Sequence, residues 1–135
     1  MGMFGALDTA VTGVNVNGAW LETIAGNVAN LNTVRSSDEE PFRASLLEVQ
    51  SVNNPNGTGA GVRVSRVLQK TGDGNLVHDP ENPLADENGN VLHPVVDMAE
   101  EMTNMLIAQR AYQANLSVMD RVRDAYLKAL EIGRR

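Results

Sequence analysis

The chain is 135 residues long, enough for one domain, yet with one Trp, two Phe and two Tyr against six Met its apolar surface is built mostly from small or flexible side chains. Such side chains suit helix seams better than a compact enzyme core. A net charge of −6, with eleven basic residues scattered among seventeen acidic ones, leaves no clustered Lys and Arg to neutralise phosphates, so nucleic-acid binding is not expected. The absence of Cys excludes disulfide frameworks and thiolate metal sites.

No window holds the eighteen or so uninterrupted apolar residues that a membrane-spanning helix requires. The first basic residue is Arg35, so the positive leading region of a secretory signal is missing, and any route out of the cytoplasm is expected to avoid an ordinary cleaved signal peptide. The first element is a helix expected over about residues 3–31, with Phe4, Leu7, Val11, Val14, Gly18, Leu21, Ala25 and Val28 recurring at alternating spacings of three and four. Gly13, Gly18 and Gly26 each cost about 1 kcal/mol of helix propensity relative to Ala, so this helix is conditional on a partner. Asn30 and Asn32, which tolerate left-handed geometry and cap carbonyls, are expected to end it.

Residues 34–94 read as an extended or β insertion. Two runs with strand character, residues 42–49 and 62–68, flank a loop of composition SVNNPNGTGAG over residues 51–61, which predicts a long hairpin. Pro80, Pro83 and the Asn88-Gly89 pair then predict extended chain with a tight turn.

The last element begins at a capping box, with Asp97 accepting first-turn amides and Glu100 reaching back, while Pro94 keeps the preceding chain non-helical. Its stripe is Met98, Met102, Met105, Gln109, Tyr112, Leu116, Met119, Arg123, Tyr126 and Leu130, and Asp124 with Lys128 forms an i,i+4 pair. At 1.5 Å per residue it would extend roughly 50 Å. Acidic Glu100 and Glu101 at its start and Arg134 and Arg135 at its end suit the helix dipole. Gln109 and Arg123 either specify register or mark a local rotation of the seam toward Val118, Val122, Ala125, Ala129 and Ile132. The expected fold is therefore mainly α with a small β insertion: an N-terminal helix over 1–33, a hairpin-rich segment over 34–94 and a C-terminal helix over 95–135, the two helices packed as a coiled-coil-like rod.

Catalytic, cofactor and metal sites are not expected. His78 and His93 lie fifteen residues apart on loop-like chain, and the carboxylate pairs Glu39/Glu40 and Glu100/Glu101 read as solvated faces and a helix cap. In the stretch from Asp86 to Asn90 the glycine falls at position four rather than six, so it is not a calcium loop. The glycine-rich run 57–61 lacks the Lys-Ser/Thr of a phosphate loop.

The stretch Gly26-Asn27-Val28-Ala29-Asn30-Leu31-Asn32-Thr33 resembles the A-N-N-I-A-N-x-x-T signature of bacterial flagellar axial proteins. Pro41-Phe42-Arg43-Ala44, the run from Asn82 to Gly89, Glu101-Met102 and Arg110-Ala111-Tyr112-Gln113-Ala114-Asn115 narrow the resemblance to the FlgC family of basal-body rod proteins, over essentially the whole chain. Gly26, Asn90 and Val95 depart from the usual family residues. The resemblance implies a non-enzymatic, self-assembling motility protein of the bacterial flagellum, a structural subunit of the proximal rod in the periplasm. It also implies type III export by the flagellar apparatus, chain ends disordered in the monomer, and polymerisation with other rod subunits and the inner-membrane ring assembly to transmit torque. The expected subunit interface comprises Leu7, Val11, Val14, Leu21, Val28 and Asn30 on the first helix and Met102, Met105, Leu116, Met119, Tyr126 and Leu130 on the second. The family pattern adds Arg110, Tyr112 and Asn115, expected on one side of the C-terminal helix. The alternative from the residues alone is a soluble two-helix adaptor or chaperone-like binding module.

Overall fold

The computed structural model describes residues 3–55 and 57–133, with the side chains of Met3 and Phe4 excepted; the Phe4 side chain of the stripe, Asn56 of the loop, and Arg134 and Arg135 therefore lie outside what is described. Helix α1 (Met3–Ala29) comes first and helix α2 (Met98–Gly133) last. Between them in sequence come β1 (Arg35–Ser36), β2 (Ser45–Asn53), β3 (Gly59–Gln69), β4 (Asn75–His78) and β5 (Asn90–His93). The expectation of a mainly α chain is met in part: α1 and α2 hold 27 and 36 residues, and β2 and β3 alone hold 9 and 11.

Both helix boundaries have a chemical cause. After Ala29, Asn30 donates its Nδ2 to the Gly26 carbonyl at 2.9 Å and accepts from Thr33 Oγ1 at 3.0 Å, adding a side-chain bond to a last-turn carbonyl that also accepts the Asn30 amide at 3.2 Å. Capping by Asn30 is thus present, but left-handed geometry is not: among the described residues only Gly57, Gly61, Gly74 and Gly89 have positive φ. At the start of α2, Asp97 Oδ1 accepts from the amides of Ala99 at 2.8 Å and Glu100 at 3.2 Å. The return half of the expected capping box is replaced, because Glu100 Oε2 takes the stronger charge-assisted bond from Lys70 Nζ at 3.0 Å.

Strand β5 lies between β1 and β4 and is antiparallel to both, with Ser36 and Val77 each opposite Val91. The connection from β4 to β5 closes on the Asn-Gly turn, where Asp86 Oδ1 accepts the amides of Asn88 and Asn90, both at 2.8 Å. Gly89 is required there: its φ is 74°, and an added Cβ would stand 2.9 Å from Pro80 Cβ. Strands β2 and β3 pair as a hairpin whose ladder consumes both ends of the expected loop. Cross-strand pairs Glu48–Arg66 at 2.7 Å and Gln50–Arg63 at 3.2 Å support it, and the strands are joined where the Asn54 amide bonds the Thr58 carbonyl at 2.8 Å.

The chain divides into two compact units. The first comprises Met1–Leu21, Glu48–Arg66 and Leu106–Arg135. Its buried side chains are Ala10 and Ala108, and Gly13 lets α2 come so close that an added Cβ would stand 2.7 Å from Asn115 Nδ2. Within the same unit β3 crosses α1 at Gly61, directly over Thr12, whose Oγ1 accepts the Val62 amide at 3.1 Å. The second unit comprises Glu22–Leu47 and Val67–Met105, with Ile24, Ala44, Val91 and Leu92 as its apolar centre.

Candidate subunit-interface site

Among the described residues no three His, Cys, Asp or Glu side chains converge to hold a metal ion. His78 Nδ1 lies 3.2 Å from Asn90 Oδ1 on exposed chain. The Asp86 carboxyl is held below its ordinary value of 3.8, first by the Asn90 amide and next by the Ser37 hydroxyl at 2.8 Å; burial opposes, and the Asn88 amide and the charge of His78 add to the lowering. Asp38 is lowered as well, first by the Ser36 hydroxyl. Both carboxyls are held by neighbouring amides and serine hydroxyls. A groove of about 320 Å³ in the first unit is lined by Thr12, Asn15, Val16, Val62, Arg63 and Val64, a set with no acid–base pair. What the chain offers is helix surface.

On α1 the most buried line runs through Ala10, Gly13, Ile24 and Asn27, displaced from the expected stripe by about one residue, or roughly 100°. Leu7, Val14, Leu21 and Val28 of that stripe are half-buried and Val11 is exposed. Around Ala10 and Gly13 the cause is size: small residues allow close approach of α2, so the larger side chains there are left to the flank. Asn30 is half-buried at the helix end.

On α2 the displacement is smaller, about 50°, because Met105, Tyr112 and Met119 belong both to the expected stripe and to the buried line. Glu101 and Ala108 are buried, with Met105, Tyr112, Asn115 and Met119 half-buried, whereas Met102, Leu116, Tyr126 and Leu130 are exposed. Gln109 and Arg123 do not sit in a seam; both are exposed, and Arg123 pairs with Asp120 at 3.7 Å and Asp124 at 3.4 Å. Asp124 therefore has Arg123 as its partner in place of the expected Lys128. Arg110, Tyr112 and Asn115 do not share one side, since residues two apart on a helix point about 200° apart. Tyr112 lies over Gly18, where an added Cβ would be 3.8 Å from Cε2, Asn115 meets Gly13, and Arg110 faces out.

The residues that the sequence reading missed form a buried polar node in the second unit. Asn27, 2 % exposed, donates Nδ2 to Glu101 Oε1 and to the Ser45 carbonyl, both at 3.0 Å, and accepts the Ser45 amide on Oδ1 at 2.8 Å. Glu101, 6 % exposed, is thus not the solvated carboxylate expected beside Glu100. The available signal was the position of Asn27 three residues after Ile24, in line with Ala10 and Gly13. Arg43 Nε is buried with no hydrogen-bond partner, and nothing in the structure explains it.

Residues 88–132, spanning β5 and most of α2, match the family model described as "Flagellar basal body rod FlgEFG protein C-terminal", so the helix that carries this surface is of flagellar rod type. Over nearly its whole length the chain is similar to flagellar basal-body rod proteins FlgC. It is 36 % identical to that of Salmonella typhimurium, over 98 % of this chain and 99 % of the relative. Identity to that of Borreliella burgdorferi is 33 %, over 98 % of both chains. Identity to that of Bacillus subtilis is 29 %, over 99 % of this chain and all of the relative. The chain belongs to the FlgC family, and is a structural subunit of the flagellar basal-body rod rather than an enzyme or an adaptor.

Proposed function

We propose that this subunit polymerises with other rod proteins, and with the inner-membrane ring assembly, through head-to-tail contacts on a helical lattice in the proximal rod. A closed two-fold contact would stop growth at a pair, whereas a heterologous contact repeats and can transmit torque. The observation that carries this reading is the apolar surface left uncovered on α2: Met102, Leu106, Ile107, Leu127, Leu130 and Ile132 are all exposed. Apolar surface removed from water gains about 25 cal/mol per Å², so exposed apolar side chains of this kind favour association. Leu116 and Tyr126 extend the set on α2, and Leu7, Val11, Val14, Leu21 and Val28 supply the flank of α1, giving the assembled helices coiled-coil-like seams.

The assembled subunit is read as periplasmic, delivered unfolded by the flagellar export apparatus without a cleaved signal. Low helix propensity at Gly13, Gly18 and Gly26 suits that route, and among the described residues no helix is long and apolar enough to cross a membrane. The test is complementation of a strain lacking the subunit. A carboxylate forced into a buried seam costs several kcal/mol; Leu130→Asp is therefore expected to leave export intact and to abolish rod incorporation and swimming. A motile Leu130→Asp strain with normal basal bodies would remove this face from the interface.

A further inference from the structure

Charge is divided unevenly between the two units. Glu22–Leu47 and Val67–Met105 together carry twelve acidic and three basic residues, a net −9; the segments of the first unit, with Arg134 and Arg135 counted, carry five acidic and eight basic, a net +3. In the acidic unit Glu22, Asp38, Glu39, Glu40, Asp73, Glu81, Glu87, Asp97 and Glu100 are exposed. Among the described residues only Glu39 and Glu100 of these have an ion-pair partner, Arg35 and Lys70 respectively. Leu84 is exposed within the same loop as Glu81 and Glu87.

The complement lies on α2. Arg110, Arg121 and Lys128 are separated by eleven and seven residues, which brings them within about 20° of one line along the helix. All three are exposed, and none has an ion-pair partner among the described residues. Beside that line run Ile107, Val118 and Ile132, likewise exposed and likewise spaced by eleven and fourteen. This face is turned away from Tyr112 and Asn115, the residues that meet α1, so the chain's own fold does not use it.

We propose that the outward Arg110–Arg121–Lys128 face of α2, with its apolar flank, docks onto the acidic unit of a second copy of this chain, around Leu84, Glu81 and Glu87. The proposal rests on the polymerising role given above and deepens it by naming the partner surface. A copy is favoured as occupant because one chain carries both halves: an apolar strip edged with unpaired cations and an apolar residue edged with unpaired carboxylates. The surfaces differ, so the contact is heterologous and repeats. Complementary charge of this kind steers encounter and fixes which surfaces meet, and it weakens with salt as the screening length contracts from about 30 Å at 0.01 M to about 3 Å at 1 M.

The experiment uses the full chain. Sedimentation velocity over a concentration series is expected to show growing assemblies at low salt, with the association constant falling about tenfold or more on going to high salt. Arg121→Gln/Lys128→Gln and Glu81→Gln/Glu87→Gln, which remove the charges without reversing them, should each remain monomeric, with unchanged circular dichroism and melting because all four positions are exposed. Mixed together, the first variant keeps a working acidic surface and the second a working basic face, so the mixture should form one-to-one pairs that grow no further. Wild type that stays monomeric at every salt, assembly indifferent to salt, or a mixture that stays monomeric or grows past pairs would overturn the proposal. Isolated basal bodies separate this from the broader role: wild type present in rods while the purified chain never self-associates sinks only the self-contact, whereas wild type absent from rods sinks the rod reading itself.

Discussion

Asn27 illustrates how one side chain couples three segments. Its amide satisfies both polar groups of the half-buried Ser45 backbone and, fully away from solvent, a carboxylate oxygen of Glu101. Removing one member strands the others, and unsatisfied buried groups cost about 1–3 kcal/mol each, more when charged. Asn27→Leu is therefore expected to lower stability by about 3 kcal/mol, read from the urea midpoint, while Glu101→Gln, which keeps an acceptor for Asn27, should cost much less; equal losses would show that the node is not what holds these segments. Two glycines of α1 give a sharper contrast. Ala gains about 1 kcal/mol over Gly inside a helix, and Gly26 has nothing within 4 Å of an added Cβ, so Gly26→Ala should stabilise by up to that amount. Gly13→Ala brings the same propensity gain but drives a Cβ into the Asn115 amide, which is itself bonded to the Ala111 carbonyl at 3.0 Å. It should destabilise, and adding Asn115→Ala should recover part of the loss. A Gly13→Ala midpoint as high as that of Gly26→Ala would show that the helices are not held this close.

At the level of elements, what could be read from sequence was whatever depends on neighbours along the chain. The Asp97 cap, the end of α1 near Asn30, the hairpin and the Asn88-Gly89 turn are local chemistry, and all four are present. What could not be read depends on the partner surface. The seven-residue rhythm counts large apolar residues, but apart from Ile24 the buried lines of both helices are set by the small Ala10, Gly13 and Ala108 and by the polar pair Asn27 and Glu101. The two-residue strand β1 has no signature of its own; it exists because Arg35 and Ser36 meet Leu92 and Val91. The turn that joins β4 to β5 also carries a pH dependence. The Asp86 carboxyl lies below its ordinary value in the folded chain because the Asn90 and Asn88 amides and the Ser37 hydroxyl bond its charged form. Its contribution is complete above the ordinary carboxylate range and is lost as pH falls through the lower folded value. Asp86→Asn is expected to lower stability at neutral pH, to flatten the acid limb of the stability profile and to converge on wild type at low pH. An unaltered acid limb would place the sensitivity elsewhere, with Asp38 the next carboxyl to vary.

For the whole molecule, the two faces of α2 separate holding the subunit together from holding subunits to one another. Tyr112 packs over Gly18 within the chain, while Arg110, two residues earlier, points into solvent with no ion-pair partner among the described residues. Truncating Tyr112 removes most of an aromatic ring from a half-buried contact, and losses for aromatic-to-Ala changes at buried sites run to about 3–5 kcal/mol, less at half burial. Tyr112→Ala should therefore lower the melting temperature of the purified chain, and its rods should fail because the subunit itself is weakened. Arg110→Ala changes an exposed side chain, so the isolated chain should melt within error of wild type. Any effect of Arg110→Ala on rods then reports contact with a neighbour, where a guanidinium fork can engage carboxylates or carbonyls. The two strains are scored for melting of the purified subunit and for its incorporation into isolated basal bodies. The expected pattern is loss of both for Tyr112→Ala and loss of incorporation alone for Arg110→Ala. Normal rods from Arg110→Ala would make that residue ordinary helix surface, and an unchanged melt for Tyr112→Ala would mean that its ring, too, is used by a neighbour.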